Sequence, residues 1–319
     1  MPPPRFSPPT DDDLKLAAPI PLNQHPAAVY LASLSPGSRR TMQQALNAIA
    51  SLLTNGECDA FTLDWSKLRY HHTAAVRTAL MDSRSPATAS KMLCALRRTL
   101  LEAFKLDLID ASHYSKAVNL PAINASSEPK GRSLSADEIT ALLQTCRSHN
   151  ALDIRDAAII AVLRGSGLRR AELVMLKLED YEVSTGALFV RKGKRNKSRQ
   201  VYLPDDAIAF VERWLLVRST EPGALFCRIR KGGHLHSGHM HPDAIWRILQ
   251  KRAQLAGLKP FSPHDFRRTF CSDLLEAGID IVTVQKLAGH SSPSITAKYD
   301  RRNEETKRRA VQSLSIPQF

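Results

Sequence analysis

The sequence predicts a mainly α-helical protein with one small antiparallel β-sheet, arranged as an N-terminal helical domain followed by a larger α+β domain. Three observations support this. Long stretches carry apolar residues at three- and four-residue steps, which is the helical period. The period changes once, near residue 190, to short β-branched and aromatic runs around a polar tip. A polar, proline-containing segment without periodicity separates two amphipathic stretches, and a helix-start signal follows it at once. With 319 residues, 43% of them hydrophobic, the chain can fill two cores of ordinary size.

Taken in order, residues 1–22 hold Pro2, Pro3, Pro4, Pro8, Pro9, Pro19 and Pro21 beside Asp11, Asp12 and Asp13. That composition cannot bury a core, so disorder is expected there. From 23 to 118 the pattern is helical, through Met42, Ala45, Leu46, Ile49, Leu52 and Leu53, then Met92, Leu93, Leu96, Leu100 and Phe104. Ser85-Pro86 starts the second of these helices, and Arg39, Arg40, Lys91, Arg97 and Arg98 make the domain basic. Residues 119–132 read as a linker. Ser135 and Glu138 then form a capping box, in which each side chain satisfies a backbone N–H of the first helical turn. It opens a second domain over 133–319. A helix from Asp153 to Leu163 is stopped by Gly165 and Gly167. Strand-like runs at 187–190 and 200–203 flank a basic hairpin tip, and helices are expected near 205–217, 242–256, 264–277, 281–288 and 303–314.

The net charge of +14 calls for a polyanionic partner. A membrane is excluded, because no apolar run approaches the roughly 20 residues needed to span a bilayer and no signal-peptide core is present. Nucleic acid remains, with the protein expected in the cytoplasm, associated with the nucleoid. Cys58, Cys94, Cys146, Cys227 and Cys271 are scattered and odd in number, so they read as reduced thiols. His234, His236, His239 and His241 fall within eight residues, a density that suggests a metal. The segment lacks a cysteine pair and a regular scaffold, and no metal is read there.

Six residues carry the chemistry. Arg169 lies in Gly165-Ser166-Gly167-Leu168-Arg169-Arg170-Ala171-Glu172-Leu173, and Lys194 in Gly193-Lys194-Arg195-Asn196-Lys197. His264 and Arg267 lie in His264-Asp265-Phe266-Arg267-Arg268, and His290 in Leu287-Ala288-Gly289-His290, nine residues before Tyr299. A phosphodiester repels nucleophiles and has a poor leaving group. Its cleavage without a metal needs fixed cations, a proton donor and a placed nucleophile. Arginine suits the non-bridging oxygens, being always charged and able to donate two parallel hydrogen bonds. A phenol titrates near pH ~10, so Tyr299 would need cations and a proton acceptor to react.

In order and spacing these residues resemble the tyrosine recombinases, or phage integrase family, of the simple two-domain Xer-like type. The resemblance implies Tyr299 as nucleophile and Arg169 and Arg267 as phosphate ligands. It implies Lys194 as general acid, although Lys192 or Lys197 could fill that role, or the loop could only grip phosphates. His264 would take or relay the tyrosine proton, His290 would bond a phosphate oxygen, and Glu172 would orient cations. Arg268 departs from the pattern, since many relatives carry histidine there. The resemblance further implies a C-shaped clamp around duplex DNA and a homotetramer on two recombination sites, a dimer on each. Strand exchange would pass through a Holliday junction without a cofactor. The alternatives are type IB topoisomerase-like relaxation and a DNA-binding regulatory protein without catalysis. Neither the target sequence nor the direction of reaction is legible.

Overall fold

The computed structural model describes residues 14–123, 131–148, 150–191, 198–230, 232–302, 304–312 and 314–316. The chain divides into two compact units, Met1–Glu128 and Pro129–Phe319. The first unit is helical: α1 (Pro26–Ala32), α2 (Pro36–Leu53), α3 (Tyr70–Ser83), α4 (Pro86–Lys105) and α5 (Ala111–Val118). Proline occupies the first turn of α1, α2 and α4, where its missing N–H removes no helical bond. The apolar stripe of α4, with Leu93, Leu96 and Leu100, meets Leu46 and Ile49 of α2 in a core closed by Trp65 and Leu63. Of the apolar positions read for these helices, Leu52 and Phe104 are exposed. Phe104 stacks on Tyr114 of α5 instead, with ring centroids 4.9 Å apart.

The tail expected to be disordered over 1–22 is tied down from Leu14 onward. Leu14 is buried in the first core, its carbonyl accepts from the Asp64 N–H at 2.7 Å, and the Leu16 N–H donates to Thr62 at 2.9 Å. One leucine beyond the proline run supplies enough apolar area to dock the segment. Residues 1–13 lie outside the described residues. The expected linker is anchored at both described ends. Arg97 donates to the carbonyls of Val118 and Leu120, while the Arg132 N–H donates to Asp265 and the Leu134 N–H to Thr269.

The second unit begins with α6 (Ala136–Gln144), capped by Ser135 and Glu138 as expected. It continues through α7 (Ala151–Ser166), α8 (Arg170–Met175), β1 (Tyr181–Glu182), β2 (Ala187–Val190), β3 (Arg199–Tyr202) and α9 (Asp205–Arg218). There follow β4 (Cys227–Ile229), β5 (Leu235–His239), α10 (Pro242–Leu255), α11 (Pro263–Glu276), α12 (Ile281–Ala288), α13 (Pro293–Ala297) and α14 (Glu304–Gln312). Helix α7 is buried on nearly every side and forms the axis of the unit, packed on α9 through Trp214, whose indole N–H donates to Leu225. Polar residues in so buried a helix must be paired. Arg155 and Arg252 both bond Asp156, and Arg252 also bonds Asp153.

Strands β1, β2 and β3 form an antiparallel sheet, with Leu188 opposite Val201 and Val190 opposite Arg199. The histidine-rich segment, expected to lack a scaffold, contains strand β5, which pairs with β4 and holds His236 and His239. Its alternation was hidden because histidine, serine and glycine carry no hydrophobic period. His239 bonds the Val174 carbonyl and His241 caps α10, and among the described residues no group of histidines, cysteines and carboxylates is arranged to hold a metal. No described helix is long and apolar enough to cross a membrane.

Candidate active site

Two left-handed glycines aim side chains of the site. Helix α7 ends at Gly167 with φ +60°, where a Cβ would collide with the Phe270 ring. The reversal makes Arg169 the N-cap of α8. Glu172, three residues on, accepts from the Arg169 N–H at 2.9 Å and from Nη1 at 2.7 Å, while Arg169 Nη2 donates to the Gly289 carbonyl at 3.0 Å. Burial would push the Glu172 carboxyl up, but the hydrogen bonds and charge of Arg199, then those of Arg169, hold it at about 2. It is an anion throughout the working range.

Helix α11 opens with Pro263 behind a Ser262–Asp265 capping box, which sets the register of His264 and Arg267. Arg267 is only 1% exposed. Its Nη1 donates to the Gly167 carbonyl at 3.0 Å, whereas Nε and Nη2 are buried with no hydrogen-bond partner. A buried donor left unmatched costs about 1–3 kcal/mol, more when charged. Burial first, and the Arg169 charge second, push this guanidinium down to about 10. Such a site is built to receive an anion.

Helix α12 ends at Gly289 with φ +63°, which delivers His290. His290 Nδ1 pairs with the Thr296 hydroxyl at 2.8 Å. Its ring stacks on Tyr299, centroids 5.5 Å apart and planes 18° apart. Tyr299 follows α13 and packs among Phe270, Cys271 and Leu275, with the Arg268 guanidinium 5.3 Å from its ring centre. The Tyr299 hydroxyl is 3.0 Å from His264 Nε2. Burial raises the phenol above its ordinary value, opposed by Arg267 and other cations. Both imidazoles are lowered by burial and by the arginines beside them, His290 to about 3. At neutral pH the phenol keeps its proton beside an uncharged His264 able to accept it. If the Thr296 hydroxyl donates to His290 Nδ1, the His290 proton lies on Nε2 and can be given to an anion.

Of the six residues singled out by sequence, Arg169, His264, Arg267, His290 and Tyr299 are brought into one patch. Lys194 lies in 192–197, outside the described residues. Three participants were not singled out. Arg199 shares Glu172 with Arg169, Thr296 holds His290, and Asp265 caps the helix that carries His264 and Arg267. Arg199 stood unmarked in a run where six of nine residues from Arg191 to Arg199 are basic. Arg268, the departure from the pattern, lies against the Tyr299 ring.

Two buried or half-buried arginines, two neutral imidazoles and a protonated phenol thus share one patch, with the Tyr299 hydroxyl in hydrogen-bond reach of His264. The chain belongs to the phage integrase family, whose sequence description matches residues 132–306. It is 34% identical over 185 residues to tyrosine recombinase XerA of Pyrococcus furiosus, covering 58% of this chain and 62% of that protein. Less than two thirds of that relative is therefore spanned. Tyrosine recombinase XerD of Lacticaseibacillus casei is 33% identical over 231 residues, 68% of this chain and 73% of its own. XerC of Proteus mirabilis is 31% identical over 278 residues, 83% of each chain. Among solved structures, the Tn1549 transposon integrase in complex with transposon right end DNA superposes with a TM-score of 0.68 at 14% identity, over 92% of this chain and 98% of that one. A lambda integrase dimer bound to a core site gives 0.65 at 18% identity, over 93% and 78%. These likenesses establish a shared fold.

Proposed function

We propose that the protein is a site-specific DNA recombinase, which cuts and rejoins duplex DNA through a 3′-phosphotyrosine on Tyr299. The observation that carries this reading is the contact between the Tyr299 hydroxyl and His264 Nε2 beside the unmatched Nε and Nη2 of Arg267. A nucleophile with its base adjoins a cation that lacks an anion. Arg169 and Arg267 hold the non-bridging oxygens of the scissile phosphate, and His290 donates to one of them. The Tyr299 oxygen attacks phosphorus as its proton passes to His264. The 5′ oxygen leaves with a proton from Lys194, for which the basic hairpin sequence is the support. The phosphotyrosine conserves the bond energy, so rejoining to another 5′ hydroxyl requires no nucleotide cofactor.

Four protomers assemble on two sites, a dimer on each, within the nucleoid. Support for assembly comes from the C-terminal segment, where Val311, Leu314 and Ile316 are 63%, 73% and 85% exposed. An apolar set left in solvent calls for a covering surface, here supplied by a neighbouring protomer.

The test uses sheared and nicked DNA of the source organism, incubated with purified protein in excess EDTA. A denaturant-resistant protein–DNA adduct, sequenced to define the site, is expected, and Tyr299→Phe should abolish it without loss of DNA binding. Absence of any adduct, or its persistence in Tyr299→Phe, refutes the reading. On the recovered site, a 5′-bridging phosphorothiolate has a leaving group that needs no proton, and should restore cleavage to Lys194→Ala far more than to Arg169→Ala.

A further inference from the structure

The Glu172 carboxylate is saturated. Its Oε1 accepts from Arg169 Nη1 at 2.7 Å and Arg199 Nη1 at 3.1 Å, and its Oε2 from the Arg169 backbone N–H at 2.9 Å and Arg199 Nη2 at 2.8 Å. Four donors, two from each arginine, occupy the roughly four lone-pair positions of a carboxylate. The third arm of Arg199, Nε, donates to the Leu287 carbonyl in the last turn of α12 at 2.9 Å. The Arg199 side chain is nearly buried and sits against Gly289, where a Cβ would come within 2.8 Å of its Nη1. One guanidinium thus joins β3, α8 and the end of α12.

We propose that Arg199 is a positioning residue for phosphate transfer, which fixes the Glu172 carboxylate between two anchors and so sets the orientation in which Arg169 meets the scissile phosphate. The inference rests on the recombinase reading given above. Its physical basis is competition for one anion. With Arg199 in place, Glu172 can offer the Arg169 guanidinium only a single oxygen, and Arg169 Nη2 stays on the Gly289 carbonyl. Without Arg199, two acceptor positions on Glu172 fall vacant. The carboxylate can then turn into a paired, fork-to-fork contact with Arg169, the geometry that arginine and carboxylate favour. That contact would draw Arg169 off Gly289 and cancel its charge where the phosphate needs it. A lysine at 199 would keep a charge beside Glu172. Its single ammonium could not span both carboxylate oxygens and the Leu287 carbonyl together.

The experiment compares wild-type protein and Arg199→Lys on the nicked duplex recovered as its site, under single-turnover conditions. One form of the duplex carries the ordinary phosphodiester, the other a methylphosphonate at the scissile position. The methylphosphonate has no anionic non-bridging oxygen and asks less of Arg169. The expected result is a loss of roughly tenfold or more on the phosphodiester. Loss on the methylphosphonate should be no more than about twofold, with DNA affinity unchanged. Should Arg199→Lys not fold, Arg199→Gln, which keeps Glu172 and leaves part of its acceptor capacity vacant, should show the same selective loss. Equal losses on the two substrates would assign Arg199 a purely structural role, and an undiminished rate in Arg199→Lys would show that charge alone suffices. Either result overturns the proposal. Failure of the wild-type protein to form an adduct refutes the recombinase reading itself.

Discussion

His290 makes the second unit sensitive to acid. Burial, followed by the charges of Arg267 and Arg169, lowers its pKa from an ordinary 6.5 to about 3. Because the folded value is depressed, the unfolded chain binds the proton more readily, and stability is lost as pH falls below 6.5. At pH ~8 neither state is protonated and the contribution vanishes. At pH ~5 the unfolded imidazole is almost fully protonated and the folded one hardly at all. The linkage then costs about 2 kcal/mol, from RT ≈ 0.59 kcal/mol and a proton deficit acting over about 1.5 pH units. His290→Gln should abolish this term and lose about 2 kcal/mol less than wild type between the two pH values. Carboxylates and His264 titrate in both proteins and cancel. The assay is urea unfolding followed by Trp214 and Trp246 fluorescence in a Trp65→Phe background, which confines the signal to the second unit. Phosphate and sulfate are kept out of the buffer, since an anion on the arginines would raise the pKa of His290. Parallel losses of stability in the two proteins would refute the reasoning.

Arg267→Met should leave the melting temperature unchanged or raised, because it removes a buried cation with two unmatched donors, while abolishing adduct formation; a large loss of stability would mean that this charge is structurally compensated. Gly167→Ala should cost about 1 kcal/mol for its positive φ plus the displacement of Phe270, and should lower cleavage by moving the carbonyl that holds Arg267 Nη1. Unfolding and single-turnover cleavage measure the two effects, and a fully active variant would show that this carbonyl does not set the Arg267 geometry. Ending the chain after Arg302 should leave stability and single-site binding unchanged while removing cooperative synapsis in gel shifts, since Val311, Leu314 and Ile316 lie in solvent. A destabilised monomer that binds weakly would show instead that the segment packs on its own unit.

Periodicity with local start and stop signals located α2, α4, α6, α7, α9, α10, α11, α12 and α14, most of which bury one continuous stripe, whereas the short or weakly patterned α1, α3, α5, α8 and α13 were not singled out. The apolar steps of α2 and α4, the Ser135–Glu138 capping box and the two ending glycines, Gly167 and Gly289, are local signals that need no partner to be legible. The candidate site residues were likewise marked by type and spacing, and five of the six are gathered into one patch. What the sequence could not show is which groups share a partner. Leu14 was hidden by the prolines before it and docks because a core from distant helices awaits it. Strand β5 was hidden because its pairing with β4, not its side chains, makes it a strand. Arg199 was one basic residue among several in its run, and only the fold brings it to a carboxylate 27 positions away and to the last turn of α12. The perturbed acidities follow the same division. Residue type gives His290 and Arg267 their ordinary values, but desolvation and neighbouring charge, which move them to about 3 and about 10, exist only once distant segments exclude water together.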